Sequence, residues 1–216
     1  NYSFSLKEQH NFNILAGSSY EDYRLNQIKA TANNMISNDF FSFNYYDTSN
    51  ATNSILGDNV ETWAMMSYFG RINYNFKEKY LLEANVRYDG SSRLAPSKRW
   101  KAFPSVSAAW RINEEEWFNV EWISNMKFRA SRGQLGTGAV LGLYDYIPLI
   151  SYSQNNTAAS YLGAKWYYQG SMASEDKTWE TIETTNLGLD FGLLNNRLTG
   201  SLDYYLQYTN DMLSSL

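Results

Sequence analysis

The sequence has no cysteine, one histidine and three prolines among its 216 residues. The absence of cysteine excludes a disulfide scaffold, thiolate catalysis and zinc–thiolate sites, and a lone histidine, His10, excludes a histidine-rich metal site. No run approaches the roughly 18 to 20 consecutive apolar residues of a membrane helix, so helical membrane proteins are excluded. Basic residues are outnumbered by acidic ones, 18 to 22, which speaks against a protein that binds nucleic acid through phosphate charges.

What the chain does have is alternation of apolar and polar residues with a period of two, the pattern of strands with two unlike faces. The clearest example has Leu82, Ala84, Val86 and Tyr88 on one face and Glu83, Asn85, Arg87 and Asp89 on the other. Similar alternation covers residues 68–76, 105–112, 186–191 and 198–208, with weaker matches at 2–6, 11–20 and 125–137. We therefore predict an all-β protein of about eight strands.

Short and long connections alternate between these strands. The short ones lie at residues 7–10, 77–79, 113–123 and 194–196, and the long ones at about 24–62, 91–101 and 138–178. In an up-and-down antiparallel sheet this places all short turns at one end and all long loops at the other, as in outer-membrane barrels. We predict part of a transmembrane up-and-down antiparallel β-barrel, and a soluble β-sandwich is the alternative.

The aromatic residues, 17% of the chain, fall near both ends of the predicted strands. Tyr and Trp favour the headgroup level of a membrane, so two such groups fit the two belts of a barrel. One group contains Tyr74, Phe76, Tyr80, Trp110, Trp117, Phe118 and Trp122, and the other Tyr20, Tyr68, Tyr88, Phe103, Tyr204 and Tyr208. Arg132 does not fit, because it shares the apolar face of Phe128 and Ala130, and we expect it near the headgroups or after a bulge.

Several ordered motifs from residue 68 onward resemble the SusC/RagA family of TonB-dependent outer-membrane transporters. They are the segments 87–93 (RYDGSSR), 99–112 (RW, then FPSVSAAWRI), 126–136 (MKFRASRGQLG), 179–192 (WE, then ETTNLGLDFG) and 194–213 (LNNRLTGSLDYY, then TNDML). The first 65 residues fit the family less specifically, as a hairpin followed by a variable loop.

The resemblance implies a barrel of about 22 strands closed by an N-terminal plug, in the outer membrane of a Gram-negative bacterium. It implies import of a glycan, oligosaccharide or peptide, with a SusD-like surface lipoprotein as lid and the TonB complex acting through the plug. It also allows a dimer of transporter–lipoprotein pairs in outer-membrane lipid, and no nucleic acid. No signal peptide, plug or TonB box is recognisable, so we expect residues 1–216 to be an internal part of the barrel domain with the plug absent.

No catalytic or cofactor-binding constellation is found. A nucleophile elbow, a phosphate-binding loop and a calcium loop are missing, and the run Glu114–Glu116 is better explained as a solvated acidic turn than as a glycosidase pair. We expect no enzyme, no cofactor and no metal. The alternative to transport is a small outer-membrane barrel or β-sandwich that acts as a surface adhesin or structural protein.

The best candidates for contact with cargo are Arg87, Arg93, Arg99 and Trp100, near the predicted outer rim. An Arg beside an aromatic ring can hold a carboxylate or a sugar. The other charges on the polar face are expected to pair across neighbouring strands: Glu83, Asp89, Arg111, Asp190 and Asp203. The aromatic run 40–46 either stacks on sugars or a lid protein, or folds its loop onto itself.

Overall fold

The structure, a computed structural model, describes residues 1–32, 54–138, 141–152, 167–170 and 172–212. It is built of ten strands joined by turns and one short 3₁₀ turn at Ile112–Glu114. The strands are β1 (Tyr2–Leu6), β2 (His10–Ala32), β3 (Ser54–Phe76), β4 (Tyr80–Ser91), β5 (Trp100–Arg111), β6 (Ile123–Thr137), β7 (Ile150–Tyr152), β8 (Tyr167–Gln169), β9 (Glu180–Leu193) and β10 (Leu198–Asn210). No helix in this part of the chain is long and apolar enough to cross a membrane.

Eight of the strands form a single sheet in the order β1-β2-β3-β4-β5-β6-β9-β10. The ladders β1–β2, β3–β4, β4–β5, β5–β6, β6–β9 and β9–β10 are antiparallel, so the chain runs up and down with each long strand beside the next one. The predicted all-β fold of eight strands is confirmed, and the sandwich alternative is wrong, because the long strands lie in one sheet rather than two packed ones. β1 and β10 are the two edges of this sheet among the described residues.

The two faces of the sheet follow from the register. On one face, Tyr80 pairs with Trp110, Trp110 with Phe128 and Phe128 with Leu189, which makes an unbroken apolar row across four strands. The opposite face carries most of the polar residues of these strands, for example Glu83 opposite Ser107 and Lys127 opposite Asp190. We call these the apolar face and the polar face. Their separation is what the period of two predicted.

Three of the short connections are tight turns, as predicted. Their central residues have positive φ although none is glycine: Lys7 and Glu8, Lys77 and Glu78, and Leu194 to Asn196. In the second turn the Lys79 N–H donates to the Phe76 carbonyl at 3.0 Å. The fourth connection, between β5 and β6, is the compact segment 112–122, and it begins with the 3₁₀ turn.

The long connections contain more strand than the sequence indicated. β2 continues to Ala32 and β3 starts at Ser54, so pairing occupies both ends of the predicted loop 24–62. The described residues 22–32 and 54–64 belong to a compact unit of their own, in which the rings of Tyr23 and Trp63 stack with centroids 5.3 Å apart. The predicted loop 138–178 likewise holds the small hairpin of β7 and β8. The aromatic run 40–46 lies outside the described residues.

Arg132 stays on its strand face without a bulge. The ladder between β6 and β9 shifts register only at Ile123/Asn125, and Arg132 pairs directly with Thr185. Its Nε donates to Glu183 Oε1 at 2.7 Å, so the charge on this side of the sheet is neutralised by a carboxylate from the neighbouring strand. The expected bulge is therefore not needed.

Candidate functional site

The most buried part of the molecule lies at the long-loop end of the sheet. Leu94, Phe103, Leu141 and Trp179 are each at most 5% exposed and form one cluster, with Met65 packed against it. These residues come from two loops and two strands that are far apart in sequence. The cluster therefore fixes loop 91–99 and the base of loop 138–179 on the end of the sheet.

Two contacts explain how the cluster assembles. The Phe103 and Trp179 rings meet edge to face at 5.6 Å, and the Trp179 Nε1–H donates to the Arg99 carbonyl at 2.9 Å. Gly136 on β6 leaves room for the Phe103 ring, since a Cβ there would collide with three of its carbon atoms. The missing side chain lets an aromatic ring from β5 lie across the backbone of β6.

Lys101 extends this arrangement to the far edge of the sheet. Its Nζ donates to Thr181 Oγ1 at 2.7 Å and to the Trp179 carbonyl at 3.4 Å, and it pairs with Asp211 at 3.3 Å. One ammonium group with three donors thus joins β5 to the start of β9 and to the end of β10. It stabilises the strand ends from which the long loops leave.

Asp145 holds the base of the loop 138–179 together. Its Oδ2 accepts from Lys177 Nζ at 2.7 Å and from the Gly142 N–H at 2.8 Å, and its carbonyl accepts from the Ser174 N–H. The hydrogen bond from Lys177, and then that from Gly142, lower the pKa of this carboxyl from its usual value against the opposing effect of burial. The ionised side chain of Asp145 therefore connects the two ends of the loop, near Gly142 and Lys177.

The four predicted contact residues separate into two groups. Arg87 lies on the polar face, where its Nε donates to Asp89 at 3.0 Å and its Nη2 to Ser67 Oγ at 3.0 Å. Trp100 lies on the apolar face, stacked on Tyr88 with centroids 5.1 Å apart and lying flat on Gly90. Trp100 and Arg87 therefore do not share a site.

The other two predicted residues lie in the turn between β4 and β5. The Arg93 N–H donates to Ser91 Oγ at 3.3 Å, and Arg99 Nη2 donates to the Leu94 carbonyl at 3.5 Å. Arg99 Nε is buried and has no hydrogen-bond partner among the described residues. Both arginines therefore belong to the turn that holds the buried Leu94.

Asp190 and Asp203 in the middle of the polar face pair across strands, as expected, whereas Glu83 and Arg111 form no ion pair with any described residue. Arg129 of β6 donates to Asp190 of β9 at 2.8 Å and to Asp203 of β10 at 3.0 Å, and Lys127 pairs with Asp190 at 2.9 Å. A Cβ at Gly188 would lie 2.7 Å from both Arg129 Cζ and Asp203 Oδ1. Gly188 thus lets one guanidinium reach across β9. Arg87 pairs with Asp89 on its own strand instead.

The polar face is concave at two places. A depression of about 830 Å³ near the short turns is lined by polar side chains such as Asn11, Asn73 and Glu83 and also by apolar ones such as Phe12 and Leu81. A second one, of about 400 Å³, is lined by Ser105, Ser131 and Asn186 among others. Within the described ranges, no group of three or more His, Asp or Glu side chains is placed to hold a metal ion. This surface is suited to hydrogen bonding with polar solutes.

Sequence reasoning missed Lys101, Leu141, Asp145 and Trp179 as parts of this end of the molecule. Each meets partners many positions away; Trp179 and the Arg99 carbonyl are 80 residues apart. The apolar residues Leu141 and Trp179 inside a long polar segment were the signal that could have been used, since isolated large apolar residues in a loop indicate packing.

Comparison with known proteins gives the family. The family model described as TonB dependent receptor-like, beta-barrel matches residues 1–216. SusC of Bacteroides thetaiotaomicron, a TonB-dependent receptor, is 40% identical over 156 residues, 70% of this chain and 15% of SusC. The TonB-dependent receptor P26 of Formosa agariphila is 32% identical over 213 residues, 98% of this chain and 21% of P26.

Solved structures agree with the sequence relatives. The RagAB peptide transporter matches 98% of this chain at 29% identity with a TM-score of 0.84, and the RagAB peptide importer in the open-open state matches it with a TM-score of 0.86. This chain spans 23% of the RagAB chain and no more than 21% of the sequence relatives reported above. The chain belongs to the TonB-dependent receptor family, and its eight-stranded sheet is a β-barrel segment of the SusC/RagA type.

Proposed function

We propose that this chain supplies part of the wall and the extracellular loops of an outer-membrane importer driven by TonB. The observation that carries the proposal is the likeness to SusC over 70% of the chain and to the RagAB peptide transporter over 98% of it. The two unlike faces support it, because a transmembrane barrel needs an apolar band towards lipid and a polar interior. No part of the proposal requires catalysis, and members of this family act as receptors and transporters.

The proposed cargo is a glycan, oligosaccharide or peptide. A neighbour described as a peptide transporter supports the peptide. On this chain we propose Arg87, together with Arg93 and Arg99 of the turn that follows its strand, as the contact for a carboxylate or for sugar hydroxyls. The Arg87 side chain is 46% exposed, although two of its nitrogens are already hydrogen-bonded. Trp100 is placed by its apolar-face position in the aromatic belt, so we do not carry it into the proposed cargo site.

The proposed partners follow from the same likeness. We propose a SusD-like surface lipoprotein that covers the long-loop end, and a TonB complex that acts through a plug outside these residues. The fixed loop bases at Asp145 and Leu94 support this, because a lid needs a surface that holds its shape. Dimerisation of transporter–lipoprotein pairs remains a prediction.

The test is uptake by cells that produce the full-length receptor. Fluorescently labelled oligosaccharides and a labelled peptide digest are supplied to wild-type cells, to cells without the receptor and to cells without TonB. Loss of one labelled class in both mutants is expected and identifies the cargo. Uptake of both classes that is unchanged in both mutants would contradict the proposal.

Arg87→Gln tests the proposed contact. Removal of a charge-assisted hydrogen bond should lower uptake of the cargo about tenfold at limiting concentration. The matched control is Arg197→Gln, an exposed arginine in a short turn at the opposite end of the sheet, which should leave uptake unchanged. Equal uptake by Arg87→Gln and wild-type cells, with equal receptor in the membrane, would show that Arg87 does not contact cargo.

A further inference from the structure

The segment 112–122 between β5 and β6 continues the apolar face beyond the end of the strands. The Trp110 ring lies 6.3 Å from the Trp117 ring, and Trp117 in turn packs edge to face on Phe118 at 5.9 Å. Trp117 is 67% exposed, although it is attached to a packed aromatic row. An indole that is held in place and left open at the edge of an apolar surface is suited to a lipid–water interface.

The polar groups of Tyr80 and Trp110 already have a hydrogen-bond partner in this segment. Glu115 accepts from the Tyr80 hydroxyl at 2.7 Å and from Trp110 Nε1 at 3.0 Å, and it pairs with Lys79 at 3.4 Å. These three hydrogen bonds anchor the segment to β4 and β5. Headgroup contacts are therefore left to Trp117 and to the other carboxylates of the segment.

Those carboxylates have no cation of their own. Glu114, Glu116 and Glu121 are exposed, and none of them forms an ion pair with any described residue. The segment contains no Lys or Arg. The segment thus combines an exposed indole with a negative net charge. This combination attracts an ammonium group through cation–π and ionic interactions and disfavours a purely anionic headgroup.

An apolar groove leads away from the same aromatic residues. It has a volume of about 750 Å³ and is bounded by Tyr80 and Trp110 at one end. Its floor lies low because two alanines, Ala108 and Ala130, pair with each other between the larger Leu82 and Leu187 in the same cross-strand row. A groove of small residues between large ones fits an acyl chain.

We propose a binding site for one zwitterionic phospholipid with an ammonium headgroup, which we call the lipid seat. It consists of Trp117, the carboxylates of Glu114, Glu116 and Glu121, and the Ala108–Ala130 groove. The ammonium lies at the indole and carboxylates, and one acyl chain follows the groove. The inference relies on the membrane location proposed above and is independent of the cargo. The segment 112–122 would thus prefer one class of lipid headgroup, whereas the rest of the apolar face only contacts the hydrocarbon of the membrane.

The experiment measures tryptophan quenching in the full-length receptor reconstituted into vesicles. The vesicles contain either brominated phosphatidylethanolamine or brominated phosphatidylglycerol at equal mole fraction, and the Trp117 signal is the difference between wild type and Trp117→Phe. We expect roughly threefold more quenching of this signal by the ethanolamine lipid. The triple variant E114Q/E116Q/E121Q should reduce the ratio towards one.

Two further variants sharpen the result. Trp100→Phe reports on an indole of the same face at the long-loop end, where Lys98, Arg99 and Lys101 are neighbours in sequence, and it should show no preference for the ethanolamine lipid. A108L/A130L fills the groove and should also lower the ratio of Trp117 quenching by the ethanolamine lipid to that by the glycerol lipid. An unchanged ratio in this variant would overturn the lipid seat.

The experiment distinguishes failure of the lipid seat from failure of the proposed membrane location. Equal quenching of Trp117 by both lipids, unchanged in the triple variant, would overturn the lipid seat and leave the membrane location intact. Absence of quenching by either lipid at both Trp117 and Trp100 would contradict the membrane location itself.

Discussion

At the scale of single residues, glycine recurs where a side chain from one strand crosses the backbone of the next. Phe103 lies on Gly136, the Arg129 guanidinium passes Gly188, and Trp100 lies on Gly90. In a flat sheet each side chain stays over its own strand, so these crossings need positions without a Cβ. The crossings allow a side chain on β5 or β6 to contact a strand that is not adjacent to its own, as Arg129 of β6 does with Asp203 of β10.

Gly136→Ala should destabilise the receptor by about 1–3 kcal/mol, because the added methyl group collides with the buried Phe103 ring and opens the Leu94–Trp179 cluster. The measurement is thermal unfolding of the full-length protein in detergent, followed by the fluorescence of its tryptophans. The matched control is Gly57→Ala, since a Cβ there would meet no atom within 4 Å. Equal unfolding temperatures for the two variants would show that Phe103 does not need the space.

At the scale of elements, the long loops are held at their bases by a few polar contacts, in contrast to the continuous ladders of the strands. The base of loop 138–179 rests on Asp145, Lys177 and the Gly142 N–H. Because the pKa of the Asp145 carboxyl is lowered in the folded protein, its ionised form stabilises the loop. That contribution is fully present above the unfolded-state value near 3.8 and is lost as the pH falls through the lower folded value.

We therefore expect the loop base to loosen only at acidic pH below about 4. Hydrogen exchange at the amides of Gly142 and Ser174, corrected for the intrinsic effect of pH, should show protection that is constant from neutral pH down to that range and then falls. Asp145→Asn should lose the protection at all pH values and with it the pH dependence. Asp176→Asn, at an exposed neighbour, is the control and should behave as wild type. Protection independent of pH in the wild type would contradict the role of the carboxylate.

At the scale of the whole molecule, the sheet has two edges, β1 and β10. In a hydrocarbon environment each unpaired backbone group costs several kcal/mol, so an open sheet is not stable there by itself. The neighbours of these edges in a closed barrel would satisfy the free N–H and carbonyl groups. We therefore expect the described sheet to need further strands that complete the barrel.

Residues 1–216 expressed alone should therefore fail to form a monomeric sheet in lipid vesicles, whereas the full-length receptor should insert. Far-ultraviolet circular dichroism and the gel mobility of unheated against heated samples distinguish the two, because a closed barrel resists unfolding until it is heated. A monomeric, heat-modifiable product of the isolated chain would show that the eight strands close on themselves.

The sequence by itself determined the strand content, the two faces, the short turns and the family. These depend on local alternation and on motifs that each lie within one or two strands, such as Leu82 to Asp89 and the turn at Lys77 to Lys79. The charges of the polar face could also be predicted to pair, since facing strands bring them together. The extent of β2 and β3 was underestimated, because polar and apolar residues are mixed on both faces of their outer halves and do not alternate cleanly.

Which residues meet was decided only by the tertiary structure. Arg129 joins Asp190 and Asp203, and Lys101 joins Asp211, through the register of strands 61 to 110 positions apart along the chain. The separation of Trp100 from Arg87, which were candidates for one site, has the same origin. Arg87 pairs with Phe103 and Trp100 pairs with Gly90, so the Arg87 and Trp100 side chains lie on opposite faces of the sheet. Register is set by the sum of many pairings over a whole ladder, so no single motif in the sequence carries it.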